Sequence, residues 1–160
     1  GFIGYHLSKK LVELGNEVIG IDNINDYYDV ELKLARSEIL SNKKNYKFYK
    51  CDLVNYKDLE QIFKKDKPSI VINLAAQAGV RYSITNPEVY VDTNITGFLN
   101  ILESCRYSNV KHLTYASSSS VYGGNTRLPF SEHDNIDHPV SLYAATKKSN
   151  ELILCMVPKG

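Results

Sequence analysis

The stretch GFIGYHLSKKLVELGNEVIGID, residues 1–22, contains two hydrophobic periods in succession. Ile3, Leu7, Leu11 and Leu14 recur at the three-to-four spacing of one helical stripe, which predicts a helix over residues 2–14 ended by Gly15 as its C-cap. Val18-Ile19-Gly20-Ile21 then reads as a short buried strand closing at Asp22. The alternation continues outward from there. Residues 30–42 read as helix, 46–50 as extended, 56–65 as helix, and Ile70-Val71-Ile72-Asn73-Leu74 as a second, fully apolar strand. A long helix is predicted over 87–107, a strand over 111–116 and a last helix from near Ser141, after a long loop over 123–140. Strands alternating with helices predict the α/β class, with a doubly wound parallel sheet wrapped by helices.

Composition narrows the function. With 160 residues, 43% hydrophobic and 23% charged, the chain has enough apolar surface for one domain with a core. Lys+Arg 19 against Asp+Glu 18 leaves a net charge of +1, too small a field to draw nucleic acid or an anionic membrane. No run approaches the roughly 20 apolar residues of a membrane helix, and the N-terminal residues do not read as a secretion signal. Cytoplasm is therefore the expected compartment. Cys51, Cys105 and Cys155 fit neither a disulfide framework nor a CxxC motif and read as reduced, partly buried thiols. His133-Asp134-Asn135-Ile136-Asp137-His138 contains metal-ligand types, but no second cluster completes a site, so no metal is expected.

Open parallel sheets bind ligands beyond the carboxyl ends of their strands. The positions to question are therefore Asp22-Asn23, Asp52-Leu53, Ala75-Ala76-Gln77 and Ser117 to Ser120. Gly1-Phe2-Ile3-Gly4, at the mouth of the first helix, can form the rear half of a glycine-rich phosphate loop, because missing Cβ atoms let a pyrophosphate approach a helix N-terminus. Asp22 ends the next strand 18 residues after Gly4, near the offset at which a carboxylate accepts hydrogen bonds from an adenosine ribose. A plain turn aspartate is the alternative reading. Asn23 and Ile24 follow, with no arginine to neutralise a 2′-phosphate, so NAD is expected over NADP.

Tyr143-Ala144-Ala145-Thr146-Lys147, at the start of the last helix, puts a phenol and an ammonium on one face, one turn apart. A nearby positive charge lowers a tyrosine pKa from about 10 by about 1 to 3 units, which suits it to take a proton from a hydroxyl at neutral pH. The spacing alone carries little information. Among 12 tyrosines, Tyr5 with Lys9, Tyr46 with Lys50 and Tyr107 with Lys111 share it. Tyr46 lies on a strand, where four residues span about 13 Å; Tyr107 sits where helix gives way to strand, and Tyr5 has no hydroxyl-rich strand end feeding it. Only Tyr143 follows a strand that ends in Ser117-Ser118-Ser119-Ser120.

These residues resemble the extended short-chain dehydrogenase/reductase family, and within it the sugar-nucleotide 4-epimerases. The resemblance is carried by Gly1 to Gly4, Asp22 to Asp29, Leu74 to Ser83, Ser117 to Gly123 and Asp137 to Lys147, and spans residues 1 to about 152. UDP-glucuronate 4-epimerases are the nearer type, ahead of UDP-galactose 4-epimerases. The resemblance implies a Rossmann-type sheet, NAD as a retained cofactor and a UDP-sugar as substrate. It makes Tyr143 the acid/base, Lys147 its electrostatic partner and a ligand of the nicotinamide ribose, and Ser118 a hydroxyl between the sugar O4 and the tyrosine. It sets Gly1, Phe2, Ile3, Gly4, Asp22, Asn23, Asp52, Leu53, Leu74, Ala75, Ala76, Gln77, Ala78 and Thr93 at NAD. Ser119 and Ser120 stand where galactose epimerases have Ala-Thr, and two added hydroxyls suit a uronate carboxylate. Arg81 is a candidate helper at the sugar, or a surface arginine.

The resemblance also implies a central first strand before Gly1, a substrate lobe after Leu152, and a homodimer pairing through the helix at 87–107 and the one after Ser141. Neither the strand nor the lobe is in this chain, and the tail Ile153 to Gly160 departs from the family pattern. The expectation is an incomplete NAD-binding domain over 1–160, poorly folded and inactive by itself. The apolar positions Val89, Val91, Ile95, Leu99 and Leu102 of the long helix are expected to face the core. Two rivals to the epimerase reading stay open. A nucleotide-sugar dehydratase would carry Asp-Glu where Ser119-Ser120 stands, and a non-catalytic NAD-sensing module would have no need of Ser118, Tyr143 and Lys147.

Overall fold

The computed structural model describes residues 1–156 and divides into two compact units, Gly1 to Asp52 and Leu53 onward. Each is built on a pair of parallel strands.

In the first unit, α1 (Phe2–Glu13) leads to β1 (Val18–Asp22), and α2 (Val30–Ser41) crosses over to β2 (Tyr46–Lys50). The strands pair in parallel from Val18 opposite Tyr46 to Asp22 opposite Lys50. Gly15 ends α1 at φ +85°, where its N–H donates to the Val12 carbonyl and the Asn16 N–H to that of Leu11. Those two bonds form a Schellman motif, which needs a left-handed residue and therefore favours glycine. Asp29 caps α2 by accepting from the N–H groups of Glu31 and Leu32. The Asn45 amide donates to the carbonyls of Val12 and Asn16, tying the strand pair to the end of α1.

The second unit runs α3 (Tyr56–Asp66), β3 (Ile70–Asn73), two short helices α4 (Tyr82–Thr85) and α5 (Pro87–Tyr90), a π-helical segment over Val91–Thr96, α6 (Gly97–Tyr107), β4 (His112–Tyr115), a 3₁₀ turn over Ser119–Tyr122 and α7 (Leu142–Met156). β3 and β4 pair in parallel, from Ile70 opposite His112 to Asn73 opposite Tyr115. Leu59, Ile62, Phe63, Tyr90, Phe98, Ile101, Leu102, Val121 and Ala144 are buried. The Phe98 ring lies 5.1 Å from Tyr115 and seats α6 on β4, and the Asn100 amide donates to the carbonyls of Leu53 and Val54. The α/β class and the parallel pairing are as expected, and the element bounds agree to within a residue or two. α7 continues through Ile153 to Met156; the rest of the tail, Val157 to Gly160, lies outside the described residues.

At four places the hydrophobic pattern and the burial differ. The buried face of α1 centres on Val12, one residue from the predicted stripe, while Ile3 and Leu14 are exposed. β1 is half-buried throughout. β3 alternates, with Ile70 at 60% and Ile72 at 38% exposure, and His112 and Thr114 beside them are also exposed. A parallel strand is apolar on both sides because both sides are normally covered; one face of this pair lies open. On the long helix, Leu102 is buried and Ile95 half-buried, but Val89, Val91 and Leu99 are exposed. The π-helical segment bonds i to i+5 rather than i+4 and shifts the inward face onto Tyr90, Asn94, Phe98, Ile101 and Cys105.

The three cysteines form no disulfide among the described residues. Cys51 and Cys105 are buried and Cys155 is exposed, against the expectation of partial burial. Burial pushes the Cys105 thiol up to about 11.

Replacing Gly15 with alanine puts a Cβ on a left-handed residue with nothing within 4 Å to clash. The cost is then conformational alone, and urea denaturation of Gly15→Ala should read a loss of about 1 kcal/mol.

Candidate active site

In the first unit the functional positions gather at the carboxyl ends of β1 and β2. Asp22 closes β1, and its Oδ1 accepts the Ile24 N–H at 2.8 Å. Partial burial raises the pKa of this carboxyl, while the hydrogen bond from the Ile24 N–H and the positive charge of Lys33 lower it. Asp22 is thus a charged acceptor at neutral pH. The Asn23 amide donates to Asp52 Oδ2 at 2.9 Å, joining two expected cofactor positions across the strand pair. Gly1 is the N-cap residue of α1, and Phe2, Ile3 and Gly4 form its first turn.

Lys33 is a residue that sequence reasoning missed. It is only 7% exposed, donates from Nζ to the backbone and side-chain oxygens of Asn25 at 2.6 and 2.7 Å, and lies 4.3 Å over the Tyr28 ring. No spacing singles out one lysine on a polar helix. The contact emerges only once the turn after β1 folds back on α2.

In the second unit, α7 is capped by Ser141, whose Oγ accepts the Ala144 N–H at 3.0 Å. That cap puts Tyr143 in the first turn and Lys147 one turn on. Lys147 is 5% exposed, and its Nζ donates to the Ala116 carbonyl at 2.9 Å. Burial lowers its pKa. The bond fixes α7 to the end of β4, two residues before Ser118. There Ser118 Oγ accepts the Ser120 N–H at 3.2 Å and opens the 3₁₀ turn that packs on α7, while Ser117 Oγ donates to Glu151 Oε1 at 2.6 Å. Ser118, Ser119, Ser120, Tyr143 and Lys147 therefore belong to one assembly. The three decoy tyrosines do not: Tyr5 is on α1, Tyr46 on β2, and Tyr107 ends α6.

Leu74 to Ala78 follow β3 as a loop held by a second missed residue, Asn94, which is 2% exposed in the π-helical segment. Its Oδ1 accepts the Gln77 N–H at 2.8 Å, and its Nδ2 donates to the Gln77 carbonyl at 3.0 Å and to Thr146 Oγ1 at 3.1 Å. Thr146 in turn donates to the Tyr143 carbonyl at 2.8 Å. Asn94 thus connects the strand-end loop to the helix of Tyr143 and Lys147. A polar residue in an apolar helix is read from sequence as solvent-facing, which is why it escaped notice. Thr93 beside it is half-buried, Leu53 is buried, and Arg81 is exposed at the start of α4. Among the described residues no three His, Cys, Asp or Glu side chains gather to hold a metal, and no helix is long and apolar enough to cross a membrane.

A family profile described as GDP-mannose 4,6 dehydratase matches residues 1–158. "Protein CapI" of Staphylococcus aureus is 61% identical over 153 residues, covering 96% of this chain and 46% of its own length. The UDP-glucuronate 4-epimerase of Thermodesulfobacterium geofontis is 50% identical over 153 residues, covering 96% of this chain and 47% of its own. Among solved structures, a tyrosine-to-phenylalanine variant of UDP-glucuronic acid 4-epimerase from Bacillus cereus, in complex with UDP-4-deoxy-4-fluoro-glucuronic acid and NAD, matches with TM-score 0.85 at 31% identity, covering 97% of this chain and 48% of its own. The chain spans about half the length of the curated relatives it matches.

Asn94→Ala would strand the Gln77 N–H and carbonyl in a buried place. Thermal or urea denaturation of that variant should show a loss of about 2 kcal/mol or more.

Proposed function

We propose, for a chain that belongs to the GDP-mannose 4,6-dehydratase family of extended short-chain dehydrogenase/reductase enzymes, that it supplies the NAD-binding and acid/base half of a UDP-sugar 4-epimerase whose substrate is UDP-glucuronate. The observation that carries this reading is Lys147 held against the end of β4 by the Ala116 carbonyl, which sets Tyr143 and the serine-rich strand end on one frame. Relatives named UDP-glucuronate 4-epimerase and a neighbour crystallised with NAD and a UDP-sugar analogue support it.

The residues fit NAD. The Asp22 carboxylate, kept charged and ending a parallel strand, is an acceptor for the adenosine ribose hydroxyls. Asn23 and Asp52 lie beside it, and the glycine-flanked start of α1 is a phosphate-binding terminus. Leu53, Leu74 to Ala78 and Thr93 are further positions for NAD, and Lys147 is the ligand for its nicotinamide ribose. NAD, when bound, supplies the hydride acceptor and donor for reversible oxidation at the sugar C4. Tyr143 takes the proton of the 4-hydroxyl and later returns it. Lys147 provides the positive charge that stabilises the phenolate, and Ser118 the hydroxyl between the sugar O4 and the tyrosine. Ser119, Ser120 and Arg81 are donors for the uronate carboxylate.

The protein encoded by the complete reading frame around this sequence should invert C4 of UDP-glucuronate in preference to UDP-galactose, followed by product chromatography. Tyr143→Phe should lower kcat by about 10² to 10⁴-fold, the usual weight of one general acid/base; an unchanged rate would remove Tyr143 from the mechanism.

We also propose that the whole enzyme is a homodimer. Val89, Val91 and Leu99 on the long helix and Leu152 and Leu154 on α7 are apolar and exposed, as a helix-to-helix subunit interface requires. Light scattering on the full-length protein should give twice the protomer mass, and a monomer would refute the pairing.

A further inference from the structure

We infer that Tyr90 is a positioning residue of this site, its hydroxyl holding the strand-end loop at Ala78 and Gly79 while its ring braces the acid/base Tyr143. The inference rests on the epimerase reading for its meaning and on the geometry of the second unit for its substance.

Tyr90 ends α5 and is fully buried, the largest side chain to be so among the described residues. Its hydroxyl donates toward two successive carbonyls, Ala78 at 2.8 Å and Gly79 at 2.5 Å. One proton shared between two acceptors is a clamp on backbone, and a phenylalanine would fill the same space without it. The ring stands edge-on to Tyr143, with centroids 6.1 Å apart at 79°, and tilted against Tyr82 at 6.2 Å. Both separations lie in the range aromatic pairs prefer.

The placement explains why the loop has a definite shape. Residues 74–79 belong to no helix or strand, and Gly79 turns at φ +96°. Their anchors are Asn94 on Gln77 and Tyr90 on Ala78 and Gly79. Tyr90 and Asn94 are four residues apart on one face of the same helical run, so a single rigid stretch grips three consecutive loop residues. From that stretch one contact goes to the Tyr143 ring and another, through Thr146, to the Tyr143 carbonyl. A tyrosine that must meet a hydroxyl at hydrogen-bond distance gains from being held at both ring and backbone, since a displacement of about 1 Å costs about 10²-fold in rate.

The test compares Tyr90→Phe and Tyr90→Leu in the protein from the complete reading frame. Phe keeps the ring and drops the clamp. It should weaken NAD binding about tenfold, on the scale of one buried hydrogen bond, and leave kcat at saturating NAD within about twofold. Leu loses the brace as well and should cut kcat at saturating NAD more than about tenfold. NAD affinity unchanged in Tyr90→Phe, or kcat unchanged in Tyr90→Leu while melting temperature alone falls, overturns the inference. A second arm needs no turnover. In the unliganded protein Tyr90→Phe should speed amide hydrogen exchange over residues 74–79 by about tenfold, and unaltered exchange there overturns the clamp. A wild-type protein that neither binds NAD nor inverts C4 would refute the proposed function instead, with the exchange arm still deciding the role of Tyr90.

Discussion

The larger unit depends on a buried amide. Asn94 makes three side-chain hydrogen bonds in a place closed to water, two to the backbone of Gln77 and one to Thr146. A primary amide and a peptide group pair in both directions, donor to acceptor and acceptor to donor, so no buried polar atom is wasted on either side. The Asn94 carbonyl then takes a hydrogen bond from Asn150 on α7. Strand-end loop, π-helical segment and α7 are joined through one residue, and the groups on those elements keep their relative positions because of it.

The second constraint is electrostatic. A lysine that is 5% exposed is costly to keep charged, and Lys147 has a peptide carbonyl for a partner where an ion pair would ordinarily be expected. The lowered pKa expresses that cost. An ammonium bonded to a neutral carbonyl keeps its field for other negative charge nearby. In the first unit Asp22 is treated the other way. The Ile24 N–H and Lys33 favour its charged form against burial, so it remains an acceptor.

Much of this was legible in the chain. Element order and parallel pairing follow from hydrophobic period and length, and the cap at Gly15 follows from a residue type with one dominant local use. Tyr143, Lys147 and the serine run stood out because strand ends and helix starts are where ligands bind. Burial was less legible. The stripe of the long helix was misplaced because a π turn changes the period, and no run of side chains announces that hydrogen-bonding shift. β3 was read as an apolar strand, yet whether each of its faces is covered depends on what packs there.

The sequence by itself therefore determined the α/β class, the positions of the helix ends and the identity of the residues at the strand ends, because those depend on neighbours within a few positions. Only the tertiary structure decided which polar residues turn inward. Tyr90, Asn94 and Lys33 are unremarkable at their places in the chain, and each is buried against a carbonyl or amide oxygen from another part of its unit. A buried polar group is tolerated only when a partner arrives from elsewhere in the fold, and local sequence says nothing of that partner.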